Sequence, residues 1–88
     1  MIAAEDMKKT LEEIVPRIAW GEEQGLMESG RLDSLDILMI VARLHARFQV
    51  QIPSGELTAE NFDSLETITA LYRRCEGSSQ VSSPKRLA

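Results

Sequence analysis

The chain has 88 residues, a length that favours one domain with a small core and leaves little room for an enclosed active site. All 14 acidic residues but only eight of the ten basic residues lie in residues 1–76, so this part carries a net charge of −6 and is unsuited to binding nucleic acids or anionic membranes. The single cysteine excludes an intramolecular disulfide and favours a cytoplasmic location, and no apolar run is long enough to span a membrane.

The first predicted element is an amphipathic helix over about residues 5–19. Apolar residues recur at steps of four, three and four, which places them on one helical face: Met7, Leu11, Ile14 and Ile18. Pro16 interrupts the helix, but the apolar spacing stays in phase across it, so we expect a kink rather than an end. The glycine-bearing segment from Trp20 to Asp33 is predicted to be a loop.

The strongest helical pattern covers residues 34–48. Five apolar side chains share one face at about 100° per residue: Ile37, Ile40, Val41, Leu44 and Phe48. Asp33 or Ser34 is the expected N-cap. A second set of apolar residues, which we call the outer stripe, lies on the side away from that face: Leu35, Met39, Ala42 and Ala46.

A short helix over residues 58–62 and a last long helix over residues 64–74 complete the prediction. The sequence VQIP at residues 50–53 alternates like a strand, but no second strand is available to pair with it, so an extended connector is expected. Asp63 with Glu66 resembles a capping box. We therefore predict an all-α fold, a bundle of three long helices and one short one within residues 1–76, followed by a disordered tail over residues 77–88.

The triplet Asp-Ser-Leu occurs twice, at residues 33–35 and 63–65, and an acid follows each copy. Either copy can be explained as a helix N-cap, but their flanks differ. Ser34 follows a glycine-bearing loop that leaves its hydroxyl accessible, whereas Ser64 follows the predicted core residue Phe62 and lies within the predicted capping box. A helix N-terminus stabilises negative charge, so Ser34 suits modification by a phosphate-linked group.

The segment ESGRLDSLD at residues 28–36 and the segment VQIP at residues 50–53 resemble those of the acyl carrier proteins. The resemblance includes the intervening apolar residues Leu38, Ile40, Val41, Leu44 and Phe48, and the segment LTAENFDSLE at residues 57–66. These proteins carry 4′-phosphopantetheine in fatty acid, polyketide, nonribosomal peptide and aminoacyl pathways. The resemblance implies an acyl-carrier-like four-helix bundle that is not an enzyme.

The same resemblance implies that Ser34 is the attachment residue, flanked by Asp33, Leu35 and Asp36, and that Ser64 is unmodified. A phosphopantetheinyl transferase would transfer the arm from coenzyme A. The thiol of the arm would then hold an acyl or aminoacyl group as a thioester. Asp33 and Asp36 would hold the arm toward solvent by like-charge repulsion.

The resemblance also implies that the helix over residues 34–48 docks partner enzymes, and we expect four of its residues to take part: Leu35, Met39, Ala42 and Arg43. The four residues of the outer stripe can also be scattered exposed apolar side chains, or they can contact the loop. The second helix of the family is often strongly acidic, whereas Arg43, His45 and Arg47 follow Asp36 here. This departure favours a carrier of a specialised pathway, served by its own ligase, synthase or transferase. We also expect the protein to be a monomer. The compact loop resembles that of carriers loaded by adenylating ligases, such as D-alanyl carrier proteins.

Two other functions compete with the carrier. An unmodified carrier-like helical module would use the outer stripe to bind a single partner. A serine-dependent enzyme needs a base close to Ser34, but the only histidine, His45, lies about three turns along the same helix and cannot reach it. Cys75 has no neighbouring Cys or His residues for a metal, so no metal site is predicted.

Overall fold

The structure, a computed structural model, describes the backbone of residues 2–82 and the side chains of residues 2–76. It contains three α-helices and two 3₁₀ turns: α1 at Ala4–Ile14, α2 at Ser34–Phe48, the turns Ser54–Glu56 and Glu60–Phe62, and α3 at Leu65–Ser82. No strand occurs among the described residues. The predicted all-α fold is therefore confirmed, with a 3₁₀ turn in place of the short helix expected over residues 58–62.

The first helix stops before its proline, so the kinked helix predicted over residues 5–19 is wrong in its second half. Val15 leaves the helical region at φ −131° and ψ 81°. The ring of Pro16 clashes with the residue before it and disfavours helical backbone there. Ile18 nevertheless reaches the core from the turn that follows. The apolar spacing thus predicted the burial of Ile18 correctly, but it did not predict that the helix ends before Pro16.

The core is one cluster to which all three helices and the long loop contribute. Its fully buried members include Met7 and Leu11 of α1, Ile40 and Leu44 of α2, Ile68 and Leu71 of α3, and Trp20, Leu26 and Leu32 of the loop. Full burial of such a side chain contributes about 1.5–3 kcal/mol. The indole Nε1 of Trp20 donates to the Val15 carbonyl at 3.0 Å. The loop is therefore packed against the bundle along its length.

The capping box predicted for Asp63 and Glu66 does not form. The reciprocal bonds lie one residue later: the Thr67 amide donates to Ser64 Oγ at 3.3 Å, and the Ser64 amide donates to Thr67 Oγ1 at 3.0 Å. Asp63 instead accepts bonds from the loop, through Oδ2 from the Gly25 amide at 3.1 Å and through its carbonyl from the Leu26 amide at 3.0 Å. This tertiary pairing takes the Asp63 carboxylate away from the helix end.

The last helix runs to Ser82 rather than to residue 74. No proline occurs between Asp63 and Ser82, and Gly77 costs only about 1 kcal/mol relative to alanine in a helix. The disorder predicted for residues 77–88 stays a prediction, and residues 83–88 lie outside the described part of the chain. None of the described helices combines the length and apolar character that crossing a membrane requires.

Candidate functional site

The N-terminus of α2 is held by a reciprocal capping box. Asp33 is the N-cap, with extended backbone at φ −124° and ψ −176°. Its Oδ1 accepts from the Asp36 amide at 2.9 Å, and its own amide donates to Asp36 Oδ2 at 3.2 Å. Two backbone donors that the helix leaves unpaired are thereby satisfied. Ser34 becomes the first residue of the helix, in a turn whose geometry its neighbours define.

The two serines of the Asp-Ser-Leu triplets differ in access. Ser34 is exposed, and its hydroxyl makes no hydrogen bond with any described residue. Ser64 is only 4% exposed, and its Oγ accepts from the Thr67 amide. Of the two hydroxyls, that of Ser34 is the one that a reagent from solvent can reach.

The approach to Ser34 is anchored in the core. Leu32 is fully buried, and its amide donates to the Leu26 carbonyl at 3.1 Å. Just before it, Gly30 has φ +80°, a conformation that side-chain-bearing residues rarely adopt. The chain therefore turns sharply at Gly30, buries Leu32 and emerges at Ser34.

Arg17 connects the turn after α1 to both sides of Ser34. Its Nη2 lies 2.8 Å from the Arg31 carbonyl and 2.6 Å from Asp36 Oδ2. Burial tends to raise the pKa of Asp36, but the bonds from Arg17 and from the Asp33 amide outweigh it and hold that pKa below its usual value. The Asp36 carboxylate therefore stays ionised and is paired with Arg17 of the same chain.

A second ion pair extends this network along the loop. Arg31 Nε lies 2.9 Å from Glu23 Oε1, and Arg31 Nη2 donates to the Arg17 carbonyl at 3.0 Å. Glu23 Oε2 accepts from the Ala19 amide at 2.8 Å, and this bond, together with Arg31, holds the pKa of Glu23 below its usual value. We call Arg17, Glu23, Arg31 and Asp36 the loop clamp. Sequence reasoning missed it, because no pattern in the chain pairs Arg17 with a residue 19 positions away.

An open groove of about 250 Å³ begins at Ser34 and runs between α2 and the segment before the second 3₁₀ turn. Its other lining residues are mostly apolar: Met27, Ile37, Leu38, Leu57, Thr58 and Ala59. An exposed hydroxyl beside an apolar groove can carry a long covalent substituent and give part of it a surface to rest on. The residues present therefore fit a flexible group attached through oxygen.

The outer stripe is exposed along α2. Leu35 is 66% and Met39 is 44% exposed, and Ala42 and Ala46 are exposed as well. Arg43, beside the stripe, is also exposed. The loop therefore leaves most of the Leu35 side chain exposed. Leu38 is also 60% exposed, and the sequence analysis did not assign it to this face. Its position, three residues after Leu35, was the available signal.

The remaining reactive residues lie away from Ser34. The Cys75 thiol is buried, and its burial raises its pKa, which disfavours the thiolate. His45 Nδ1 lies 3.3 Å from the Val50 carbonyl, near the far end of α2. Among the described residues no group of three His, Cys, Asp or Glu side chains is placed to hold a metal ion.

A family model described as the phosphopantetheine attachment site matches residues 2–75. The match includes both triplets, the loop clamp and all three helices up to Cys75. A comparison with curated proteins found no match.

Proposed function

This chain belongs to the phosphopantetheine attachment site family, and from that premise we propose that Ser34 is the residue that carries the group. Domains of this family bind 4′-phosphopantetheine covalently. One observation carries the choice of residue: the Ser34 hydroxyl is exposed and without a hydrogen bond, whereas Ser64 is buried and its Oγ is engaged by Thr67.

The arm would reach Ser34 from coenzyme A, through a phosphopantetheinyl transferase that uses Mg²⁺. The Oγ–H bond of Ser34 and the phosphoanhydride bond of coenzyme A break, an Oγ–P ester bond forms, adenosine 3′,5′-bisphosphate leaves, and the hydroxyl proton passes to a base of the transferase. The N-terminus of α2 favours the resulting negative charge by about 0.3–1 kcal/mol. Arg17 already pairs with Asp36, so we expect Asp33 to provide more of the repulsion that turns the arm outward.

The cargo would be an acyl or aminoacyl group, held as a thioester on the thiol that the arm supplies. The protein's own thiol, Cys75, is buried, so it does not compete for the cargo. The groove lined by Leu38 and Leu57 beside Ser34 supports a resting place for the arm. The protein contributes tethering and effective concentration rather than catalysis.

We assign the docking of partner enzymes to four exposed residues of α2: Leu35, Met39, Ala42 and Arg43. Arg43 makes no ion pair with any described residue, so its charge is available to a partner. Arg47, one turn further on, lies over the Phe48 ring at 5.2 Å. A loading ligase, synthase or transferase with an apolar patch and an acidic residue opposite Arg43 would fit this surface. This mixed surface suits a carrier of a specialised pathway, with an aminoacyl pathway of the D-alanyl type as one candidate. We expect that carrier to be monomeric and cytoplasmic.

The test is the intact mass of the protein after incubation with coenzyme A, Mg²⁺ and a broad-specificity phosphopantetheinyl transferase. We expect the wild type and Ser64→Ala to gain one phosphopantetheine, and Ser34→Ala to gain none. Labelling of Ser34→Ala at the wild-type level would show that the site is wrong. If several transferases leave the wild type unchanged, the second function, an unmodified interaction module that binds through the outer stripe, becomes the better one.

A further inference from the structure

Arg17 contacts the chain on both sides of Ser34, although it lies in a different segment. It donates to the carbonyl of Arg31, three residues before the serine, and to the carboxylate of Asp36, two residues after it. We infer that Arg17 is a positioning residue for arm attachment, which holds Ser34 in the orientation that the transferase binds. This inference rests on the proposed role of Ser34.

Each of the two arginines of the loop clamp donates a hydrogen bond to the backbone carbonyl of the other. Arg17 Nη2 donates to the Arg31 carbonyl at 2.8 Å, and Arg31 Nη2 donates to the Arg17 carbonyl at 3.0 Å. Glu23 pairs with Arg31 and thereby keeps its guanidinium in place. This reciprocal arrangement joins the turn after Pro16 to the segment that leads into Ser34.

Asp36 couples the loop clamp to the first turn of α2. Its Oδ2 accepts from Arg17 Nη2 at 2.6 Å and from the Asp33 amide at 3.2 Å, so one oxygen serves both the arginine and the capping box. The Asp36 side chain is only 13% exposed, whereas that of Arg17 is 55% exposed. Loss of Arg17 would leave this carboxylate without its cation, and the turn that contains Ser34 would lose one of its supports.

This arrangement gives Asp36 a different role from that of a free docking carboxylate. A free carboxylate beside Ser34 would attract a basic transferase, and removal of Arg17 would then speed attachment. If the carboxylate instead orders the turn, removal of Arg17 should slow attachment. When the binding-competent conformation is less populated, the apparent affinity falls by the same fraction, so the loss should appear in KM. Once the carrier is bound, the transferase orders the turn and kcat is retained.

The kinetic test compares Arg17→Met, Arg17→Lys and a matched control, Arg74→Met, with the wild type. Arg74 Nη2 lies 3.1 Å from Glu56 Oε1, an exposed arginine–carboxylate pair outside the loop clamp. With a broad-specificity phosphopantetheinyl transferase, coenzyme A and Mg²⁺, we expect Arg17→Met to raise the KM for the carrier about fivefold and to leave kcat within about twofold. Arg17→Lys should restore part of the loss, and Arg74→Met should match the wild type.

Three outcomes would overturn the inference: faster attachment in Arg17→Met, an equal loss in Arg74→Met, or a fall in kcat with KM unchanged. Amide hydrogen exchange of the unmodified protein provides a test that needs no transferase. The Asp36 amide donates to Asp33 Oδ1, and the Ile37 amide donates to the Asp33 carbonyl. Both amides should exchange about fivefold faster in Arg17→Met than in the wild type. Their exchange rates should be unchanged in Arg74→Met.

Failure of the proposed function is distinguishable from failure of this inference. A wild-type protein that no transferase modifies would overturn the role of Ser34, and the exchange comparison would still show whether Arg17 orders the turn. Conversely, a wild type modified at Ser34 with unchanged exchange in Arg17→Met would retain the attachment site and remove Arg17 from it.

Discussion

The two Asp-Ser-Leu triplets have the same residues, yet the helices that follow them start at different positions. At the first triplet the helix begins at Ser34, so Asp33 is the cap and the serine hydroxyl is unused. At the second the helix begins at Leu65, and Ser64 itself makes the reciprocal bonds with Thr67. A shift of one residue in the helix start therefore separates an available hydroxyl from an engaged one.

The partner of the aspartate explains this shift. Asp33 has Asp36 three residues later to close a capping box, and Arg17 supports that carboxylate from outside. Asp63 is bound by the Gly25 amide of the loop instead, which leaves the helix end to Ser64. Leu32 precedes the first triplet and Phe62 precedes the second, and both side chains are buried in the core. The two triplets therefore differ in the partner of the aspartate and not in the residue before it.

The strongest test of this comparison is the loss of each hydroxyl in turn. Ser34→Ala should abolish arm attachment and change the free energy of unfolding by less than about 0.5 kcal/mol, because the hydroxyl makes no bond. Ser64→Ala should retain attachment and lose about 1 kcal/mol of stability with its cap. Intact mass and urea unfolding measure both effects. A larger stability loss in Ser34→Ala than in Ser64→Ala would contradict the comparison.

The buried residues before the triplets should have similar effects on stability. Leu32→Ala should cost about 2–5 kcal/mol and Phe62→Ala about 3–5 kcal/mol, because both side chains are fully buried in the core. Leu35→Ala, at a residue 66% exposed, should cost less than about 0.5 kcal/mol. Urea unfolding followed by circular dichroism gives these values. A small cost at Leu32 would mean that the approach to Ser34 is not anchored in the core.

The exposed faces of α2 and α3 can be compared as well, because the proposed docking residues lie on α2. Met39→Glu should lower loading of the arm-bearing protein by its ligase about tenfold, since a charge replaces an apolar contact. Attachment of the arm should continue. Ala70→Glu adds the same charge to the exposed side of α3 and should leave loading near the wild-type rate. Equal loading of the two variants would remove Met39 from the docking surface.

Loss of the Asp33 cap at the first triplet should have a smaller effect on stability. This effect can be measured separately from that of the cap at the second triplet. Asp33→Ala should lower stability by about 1 kcal/mol and Asp33→Asn by less, because the amide oxygen still accepts a bond. Hydrogen exchange should speed up in the first turn of α2 and not in that of α3. Faster exchange throughout the protein would show that the two helix ends do not unfold independently.

The smallest expected effect is on the pH dependence of stability. The pKa of Asp36 is lowered in the folded protein from its usual 3.8, so its stabilisation is complete above that value and is lost as the pH falls through the folded pKa. Urea midpoints between about pH 6 and pH 3 should therefore decline less steeply in Asp36→Asn than in the wild type. Arg17→Met should also make this decline less steep, because loss of the guanidinium raises the folded pKa of Asp36 toward its unfolded value. An unchanged profile in Asp36→Asn would show that its ion pair adds nothing to stability.

Local chemistry was enough to predict much of the fold. The apolar spacing of α2 and its acid–serine start led to a helix over residues 34–48, and the structure has Ser34–Phe48. The glycines and the absence of periodicity indicated the loop. These features depend on residues within one or two turns of each other, so they can be recognised before the chain is folded. Pro16 was the exception, since spacing alone does not tell a kinked helix from one that ends.

For the site, the sequence by itself determined that a serine opens the longest apolar helix, beside an acid able to cap it and after a glycine-bearing loop. Only the tertiary structure decided which aspartate caps its own helix and which binds the loop. It also brought Arg17 to Asp36, and it gave Ser34 the apolar groove lined by Leu57. The reason is distance along the chain. A cap is chosen among neighbours three residues apart, whereas Asp63 meets Gly25 across 38 positions only after the core has brought them together.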